Sequence, residues 1–200
     1  MRLVVTEFIS LDGVVQAPGG PEEDTDGGFA HGGWSHPFFD PEVVGGAFAA
    51  GLEQASALLY GRRTYQTMAA AWPERAGDPF ADRLGSLRKY VVSDTLGDSD
   101  LTWDNSVRVP VAEALDTVRE LRAADGGDLA VMGSPTLVRA LLTAGLVDEL
   151  QLVVMPVLLG GGKSVFPEDG EKRTWELVSS AVGKTGVQIN VFRPAGEARV

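Results

Sequence analysis

The sequence predicts an α/β fold: a mainly parallel sheet covered by helices and finished by antiparallel strands at its C-terminal end. Three observations predict it. Segments rich in β-branched and apolar residues alternate with segments of helical periodicity from Leu3 to Leu142. Two stretches, Leu58 to Tyr65 and Ala130 to Leu137, each run from a buried apolar strand through a turn of small or polar residues into a helix. Near the end, Val187, Ile189 and Val191 alternate with Gln188 and Asn190, the period-two signature of a strand with one buried face.

The elements follow in order. Leu3 to Ile9 reads as a strand, ended by Ser10-Leu11-Asp12-Gly13. Residues 16–41 carry too many glycines, prolines and acids for a simple connection, and loops of this length are usually functional lids or disordered segments. Phe29, Trp34, Phe38 and Phe39 argue for a packed loop. Glu42 to Gln54 reads as a helix opened by Pro41 near its first turn. Ala55 to Tyr60 is the second strand, Thr64 to Ala71 a short helix stopped before Pro73, and Phe80 to Leu87 a weak helix. Lys89 to Ser93 and Val107 to Val109 are strands, and Val111 to Ala123 carries a helical apolar stripe. Leu129 to Met132 is a strand, Leu137 to Ala144 a helix, and Glu149 to Leu159 a long apolar strand bent at Pro156, suited to a dimer interface. Trp175 to Ala181 and Val187 to Phe192 read as an antiparallel pair. No internal repeat or domain boundary interrupts the chain, so residues 1–194 are expected to form one domain, with a frayed tail over 195–200.

Composition narrows the function. The net charge of −11 offers no basic excess for nucleic acid. The absence of cysteine excludes disulfides, thiolate catalysis and cysteine metal sites, and His31 and His36 make no metal motif. No apolar run approaches a membrane span, and the first residues do not read as a signal peptide, so the cytoplasm is the expected location.

At each strand-to-helix junction, unpaired amides and the positive end of a helix dipole meet at one point, where an anion can sit. In Gly61-Arg62-Arg63-Thr64 the glycine permits close backbone approach, the arginines can grip phosphate, and Thr64 can cap the helix or bond a phosphate; the plainer alternative is a capped helix with solvated arginines. Gly133-Ser134-Pro135-Thr136 offers hydroxyls and a proline suited to a first helical turn, or simply a good N-terminus. Gly160-Gly161-Gly162-Lys163 reads as a turn or bulge, with a phosphate nest as the alternative. Glu22, Glu23, Asp24 and Asp26 read as a solvated acidic loop. Asp12 is the candidate catalytic residue, or else a turn former. Trp34, His36 and Phe38, with His31, are candidate substrate-binding residues, or else anchors of the long loop.

Together these segments resemble the dihydrofolate reductase-like superfamily, nearest the branch holding the C-terminal reductase domain of the bifunctional riboflavin-biosynthesis protein. The residues that carry the resemblance are Phe8 to Gly13, Tyr60 to Tyr65, Gly133 to Leu137, Ala144 to Leu150 and Pro156 to Gly162. The resemblance implies a three-layer α/β/α fold and NADPH. It puts Gly61, Arg62, Arg63 and Thr64 at the cofactor phosphates and Ser93 near the adenosine end. Gly133, Ser134, Pro135, Thr136 and Leu137 fall around the pyrophosphate and nicotinamide ribose, and Val14 and Val15 flank the nicotinamide. It implies hydride transfer to a C=N or C=O of a small pterin- or pyrimidine-like substrate, as in the reduction of 5-amino-6-(5-phosphoribosylamino)uracil, and a homodimer. Authentic dihydrofolate reductases carry an acid in the helix after the first loop; here that stretch offers only Asp40 and Glu42. No metal is expected. A nucleotide-binding or sensing protein of the same fold, with little turnover, is the alternative.

Overall fold

The computed structural model describes residues 1–196. The strands are β1 (Leu3–Ser10), β2 (Ala55–Gly61), β3 (Arg88–Val92), β4 (Ser106–Val109), β5 (Asp128–Met132), β6 (Glu149–Met155), β7 (Trp175–Val182) and β8 (Gln188–Pro194). The helices are α1 (Gly46–Gln54), α2 (Arg62–Ala71), α3 (Pro79–Ser86), α4 (Ala114–Ala123) and α5 (Pro135–Thr143). All strands join one eight-stranded sheet in the order β4-β3-β2-β5-β1-β6-β8-β7. From β4 to β6 every pairing is parallel, whereas β8 runs antiparallel to both β6 and β7.

Period-two alternation divides the side chains of the central strands between two helical layers. Leu3, Val5 and Ile9 of β1, with Leu129 and Val131 of β5, pack against Val118 of α4 and Leu137, Val138 and Leu141 of α5. On the opposite face, Leu58 and Tyr60 of β2 meet Leu52 of α1, Tyr65 of α2 and Leu84 of α3. Phe8 faces that side too, stacked on Phe48 of α1 with ring centroids 5.4 Å apart. This is the expected fold class, with antiparallel strands at the C-terminal end.

Several boundaries differ from the sequence reading. Before α1 the chain makes a wide turn over Pro41–Gly45, whose first amides, Glu42 and Val43, donate to the Asp40 carboxylate. Helix α2 begins at Arg62, directly after β2, which draws both arginines into its first turn. Strand β6 ends at Met155, and Pro156, which cannot donate to a ladder, opens the turn that follows. It is also an inner strand, held between β1 and β8, and so has no free edge for a partner. The last four residues of the predicted frayed tail lie outside the described residues; Ala195 donates its amide to the Thr174 carbonyl.

The strand order creates a topological switch. Strand β2 is followed through α2 and α3 by β3 on one side, whereas β5 is followed through α5 by β6 on the other. In open α/β sheets the gap between two such strands, at their carboxyl ends, is where ligands bind.

Candidate functional site: a crevice at the β2–β5 switch

Both anion-binding junctions expected from sequence lie at this gap. Register places Leu59 beside Val131, so Gly61 and Gly133, each two residues further on, leave the sheet side by side. The junctions are locked together. The Gly61 amide donates to Ser134 Oγ at 2.9 Å, and the Ser134 amide donates to Thr64 Oγ1 at 3.0 Å. Gly133 and Ser134 are both left-handed, at φ 69° and 65°. A Cβ on Gly133 would come within 3.3 Å of Thr64 Cγ2, so the turn has no room for a side chain there. Neither α2 nor α5 has a side-chain N-cap, whereas α3 is capped by Asp78. The first-turn amides at the crevice are therefore left for an external acceptor.

Ser134 supports a direct test. Ser134→Ala removes the acceptor of the Gly61 amide and is expected to destabilise the protein by roughly 1–3 kcal/mol in chemical denaturation. Ser134→Gly loses the same bond but suits the left-handed backbone, and is expected to be about 1 kcal/mol more stable than the alanine variant.

The two arginines have different partners. Among the described residues the Arg62 guanidinium donates only to Gln66 Oε1, at 3.1 Å. Arg63 is drawn away from the crevice amides and bonds Asp24, at 2.9 Å, and Asp26. Lys163, in the turn after β6, bonds the same carboxylates at 2.5 and 2.8 Å. The acidic segment of the long loop is thus a strap, tied at one end to α2 and at the other beyond β6. Both cations converge on these two carboxylates, so the strap joins the first turn of α2 to the turn after β6, although β5 and β1 lie between the two strands. Gln16 fixes it from below, donating to the Asp24 and Asp26 carbonyls and accepting from the Lys163 amide. Asp24 and Asp26, expected to belong to a solvated acidic run, are therefore tertiary ligands of two cations.

Asp12 braces the far wall. Its carboxylate accepts from Ser10 Oγ at 2.6 Å, the Gly160 amide at 2.7 Å and the Leu159 amide. The Ser10 hydroxyl first, then the Gly160 amide, pull its carboxyl down to about 2. It is ionised at neutral pH and has no proton to donate. The triglycine is a turn that binds an anion, and that anion is Asp12. Gly162 leaves no room for a side chain, since a Cβ there would lie 2.5 Å from Val14 Cγ1. Val14 and Val15 are buried beside this turn, with the Val15 amide donating to the Lys163 carbonyl.

The family model of the RibD C-terminal domain matches residues 2–189 of the chain. The chain belongs to this family. It is 26% identical over 196 residues to the uncharacterised protein YyaP of Bacillus subtilis (strain 168), covering 96% of this chain and 94% of that one. Among solved structures, a candidate riboflavin biosynthesis protein from Shewanella sp. PV-4 aligns with TM-score 0.74 at 20% identity, over 98% of this chain and all of that one. A pyrimidine reductase-like protein from Corynebacterium diphtheriae aligns with TM-score 0.64 at 14% identity, over 98% of this chain and 92% of that one. These likenesses agree on the fold, which is that of the dihydrofolate reductase-like superfamily.

In this RibD C-terminal domain the aromatic candidates do not form one wall. Trp34 is buried and its indole donates to the Gln16 carbonyl at 2.7 Å, so it anchors the loop. Phe38 packs with Val44, Val153 and Met155 below it, while His36 is exposed. His31 lies elsewhere, edge-on to Phe29 at 5.6 Å, beside a cavity of about 540 Å³ next to the triglycine turn. Ser93 follows β3 directly, and its hydroxyl accepts from the Thr95 and Leu96 amides. Asp40 is committed to the Glu42, Val43 and Lys184 amides, so it is not a free acid in a pocket. A second cavity, of about 400 Å³, lies between α1 and the sheet, with Arg2, Asp128 and Glu149 among its lining at the amino ends of the strands. Its lining extends along the sheet as far as Thr6 and Met132. No group of His, Asp or Glu suited to a metal occurs among the described residues, nor a helix long and apolar enough to cross a membrane.

The residue the sequence reading missed is Glu7. It sits in β1 one place beyond Thr6, whose carbonyl accepts from the Gly133 amide, so it lies level with the β5 junction. It is 2% exposed, and its Oε1 has no hydrogen-bond partner. Burial first, then the nearby Glu23 charge, push its carboxyl well above the usual glutamate range. The signal was present: Glu7 occupies the inward position between Val5 and Ile9, where an apolar residue is the rule.

Proposed function

We propose that this protein is an NADPH-dependent reductase that passes a hydride to the C=N or C=O of a small heterocycle. The observation that carries the reading is the pair of uncapped helix N-termini locked side by side at the β2–β5 switch, with an arginine at the start of α2 that no carboxylate among the described residues claims. These features suit a dinucleotide. The first-turn amides of α2 and α5 match a pyrophosphate, Gly61 and Gly133 permit close approach, and Arg62 matches a 2′-phosphate.

A bound nicotinamide would supply the hydride. The chain's own residues do the rest. Thr64 and Ser134 hold the two junctions in register, Ser93 follows the strand on the adenosine side, and Val14 and Val15 offer an apolar wall to the ring. The strap, tied through Asp24 and Asp26, joins the start of α2 to the turn after β6. Glu7 is the residue we assign as the proton source: burial raises its carboxyl well above the usual glutamate range, whereas hydrogen bonds pull Asp12 down to about 2. The outer strands of the sheet are β4 and β7; on β7 Leu177, Val178 and Val182 are exposed, and we assign the subunit contact of a homodimer to that edge.

The experiment is a calorimetric titration of the purified, nucleotide-free protein with NADPH and with NADH. Tight NADPH-selective binding is expected. No binding of either by the folded protein would remove the reading.

A further inference from the structure

We propose that the acceptor taken by this site is an uncharged heterocycle without a phosphate group, and that Asp24 and Asp26 are the residues that select it. The inference rests on the reductase reading and names its substrate class.

The cavity of about 540 Å³ next to the triglycine turn has the size of a small-molecule site and lies at the carboxyl edge of the sheet, joined to α2 through Asp26, which lines it and bonds Arg63. Its wall is made by the Phe29 ring, His31, Leu159 and the backbone of Gly160 to Gly162. Such a wall of aromatic faces and peptide groups suits a flat ring. Lys163 is the only Lys or Arg among the described residues that line it.

A bound phosphate monoester needs cationic N–H donors that nothing else has taken. The two cations in reach, Lys163 and Arg63, both point at Asp24 and Asp26. Two positive charges meet two negative ones, and the mouth of the cavity is electrically balanced. Arg63 first, then Lys163, hold the Asp26 carboxyl down at about 2, so the balance persists at physiological pH. Asp24 keeps only 13% of its side chain exposed, and Gln16 ties the backbone of both acids in place. A phosphate brought here meets carboxylates already seated on its cations.

The neighbouring crevice is arranged the other way, since Arg62 has no carboxylate partner among the described residues. The protein therefore separates two tasks: anion recognition at the β2–β5 gap and neutral-ring recognition beside the triglycine. A phosphoribosylated pyrimidine, the acceptor that the riboflavin-biosynthesis resemblance suggests, finds no free Lys or Arg for its phosphate among the described residues lining this cavity.

The test converts the site. Wild type, Asp26→Asn and the double variant Asp24→Asn/Asp26→Asn are titrated with inorganic phosphate and with ribose 5-phosphate, and the amides of residues 160–163 are followed by NMR. Thermal melts verify that each variant is folded. Wild type is expected to show no saturable shift. The double variant is expected to bind both probes at least about tenfold more tightly, as removal of opposed like charge implies. Adding Lys163→Met to it is expected to abolish the gain. The single variant keeps Asp24 on both cations, leaves the strap tied, and is expected to show a smaller gain. Saturable phosphate binding by wild type at these amides would overturn the proposal, and so would a folded double variant that gains nothing. NADPH titration of the wild type separates the two ideas: no NADPH binding by the folded wild type, with the phosphate gain intact in the double variant, would remove the reductase reading and leave the charge selection standing.

Discussion

Arg62→Ala is expected to weaken NADPH binding by roughly ten- to a hundredfold, the worth of one charge-assisted pair, while NADH binding changes by less than about threefold. Both arginines enter the first turn of α2, yet only Arg62 lacks a carboxylate partner among the described residues. Arg63 is held by Asp24 and Asp26, so Arg63→Ala is expected to loosen the strap and to affect both cofactors alike. Calorimetry on the two variants decides the assignment. Equal losses for NADPH and NADH in Arg62→Ala would remove Arg62 from the 2′-phosphate.

Glu7→Gln is expected to change the pH dependence of stability more than any other single substitution in the sheet. Glu7 is buried with an unpartnered oxygen, and its folded carboxyl keeps a proton that the unfolded chain gives up. Stability contributed by this group is therefore full at acid pH. It falls as pH rises from the ordinary glutamate range toward the raised native value, by about 1.4 kcal/mol for each pH unit. The glutamine variant has no such group and lacks that slope, so the two denaturation curves diverge as the pH rises. Parallel curves for wild type and variant would show that Glu7 is ionised in the native state and would end its role as a proton source. Once an acceptor is identified, the same variant is expected to lose turnover while keeping NADPH affinity, which separates a held proton from a structural role.

The family-level fold was legible because its signals are local. Hydrophobic periodicity marked the strands, glycine and proline marked the breaks, and the junctions at Gly61 and Gly133 carried small residues where a chain must leave a strand closely. The boundaries that moved did so for local reasons as well. Arg62 and Arg63 are good helix residues with no stop before them, so α2 starts at once, and Asp40 caps the turn before α1 through its own side chain.

The site was legible only in part. Residue types suited to phosphate could be named, but their partners could not. Asp24 and Asp26 stand far from Arg63 and Lys163 in sequence, and no local pattern says that they will meet. Asp12 carries the chemistry of a general acid and a turn former alike. Three hydrogen-bond donors arriving from Ser10, Leu159 and Gly160 make it a brace.

By itself the sequence determined the fold class and the two strand-to-helix junctions with their small residues, because these follow from short-range periodicity and backbone geometry. Only the tertiary structure decided which arginine is left open, which acid keeps a proton and which cations are neutralised. Charge pairing and burial depend on distances between residues far apart in the chain, and the strand order β2-β5-β1-β6 sets those distances.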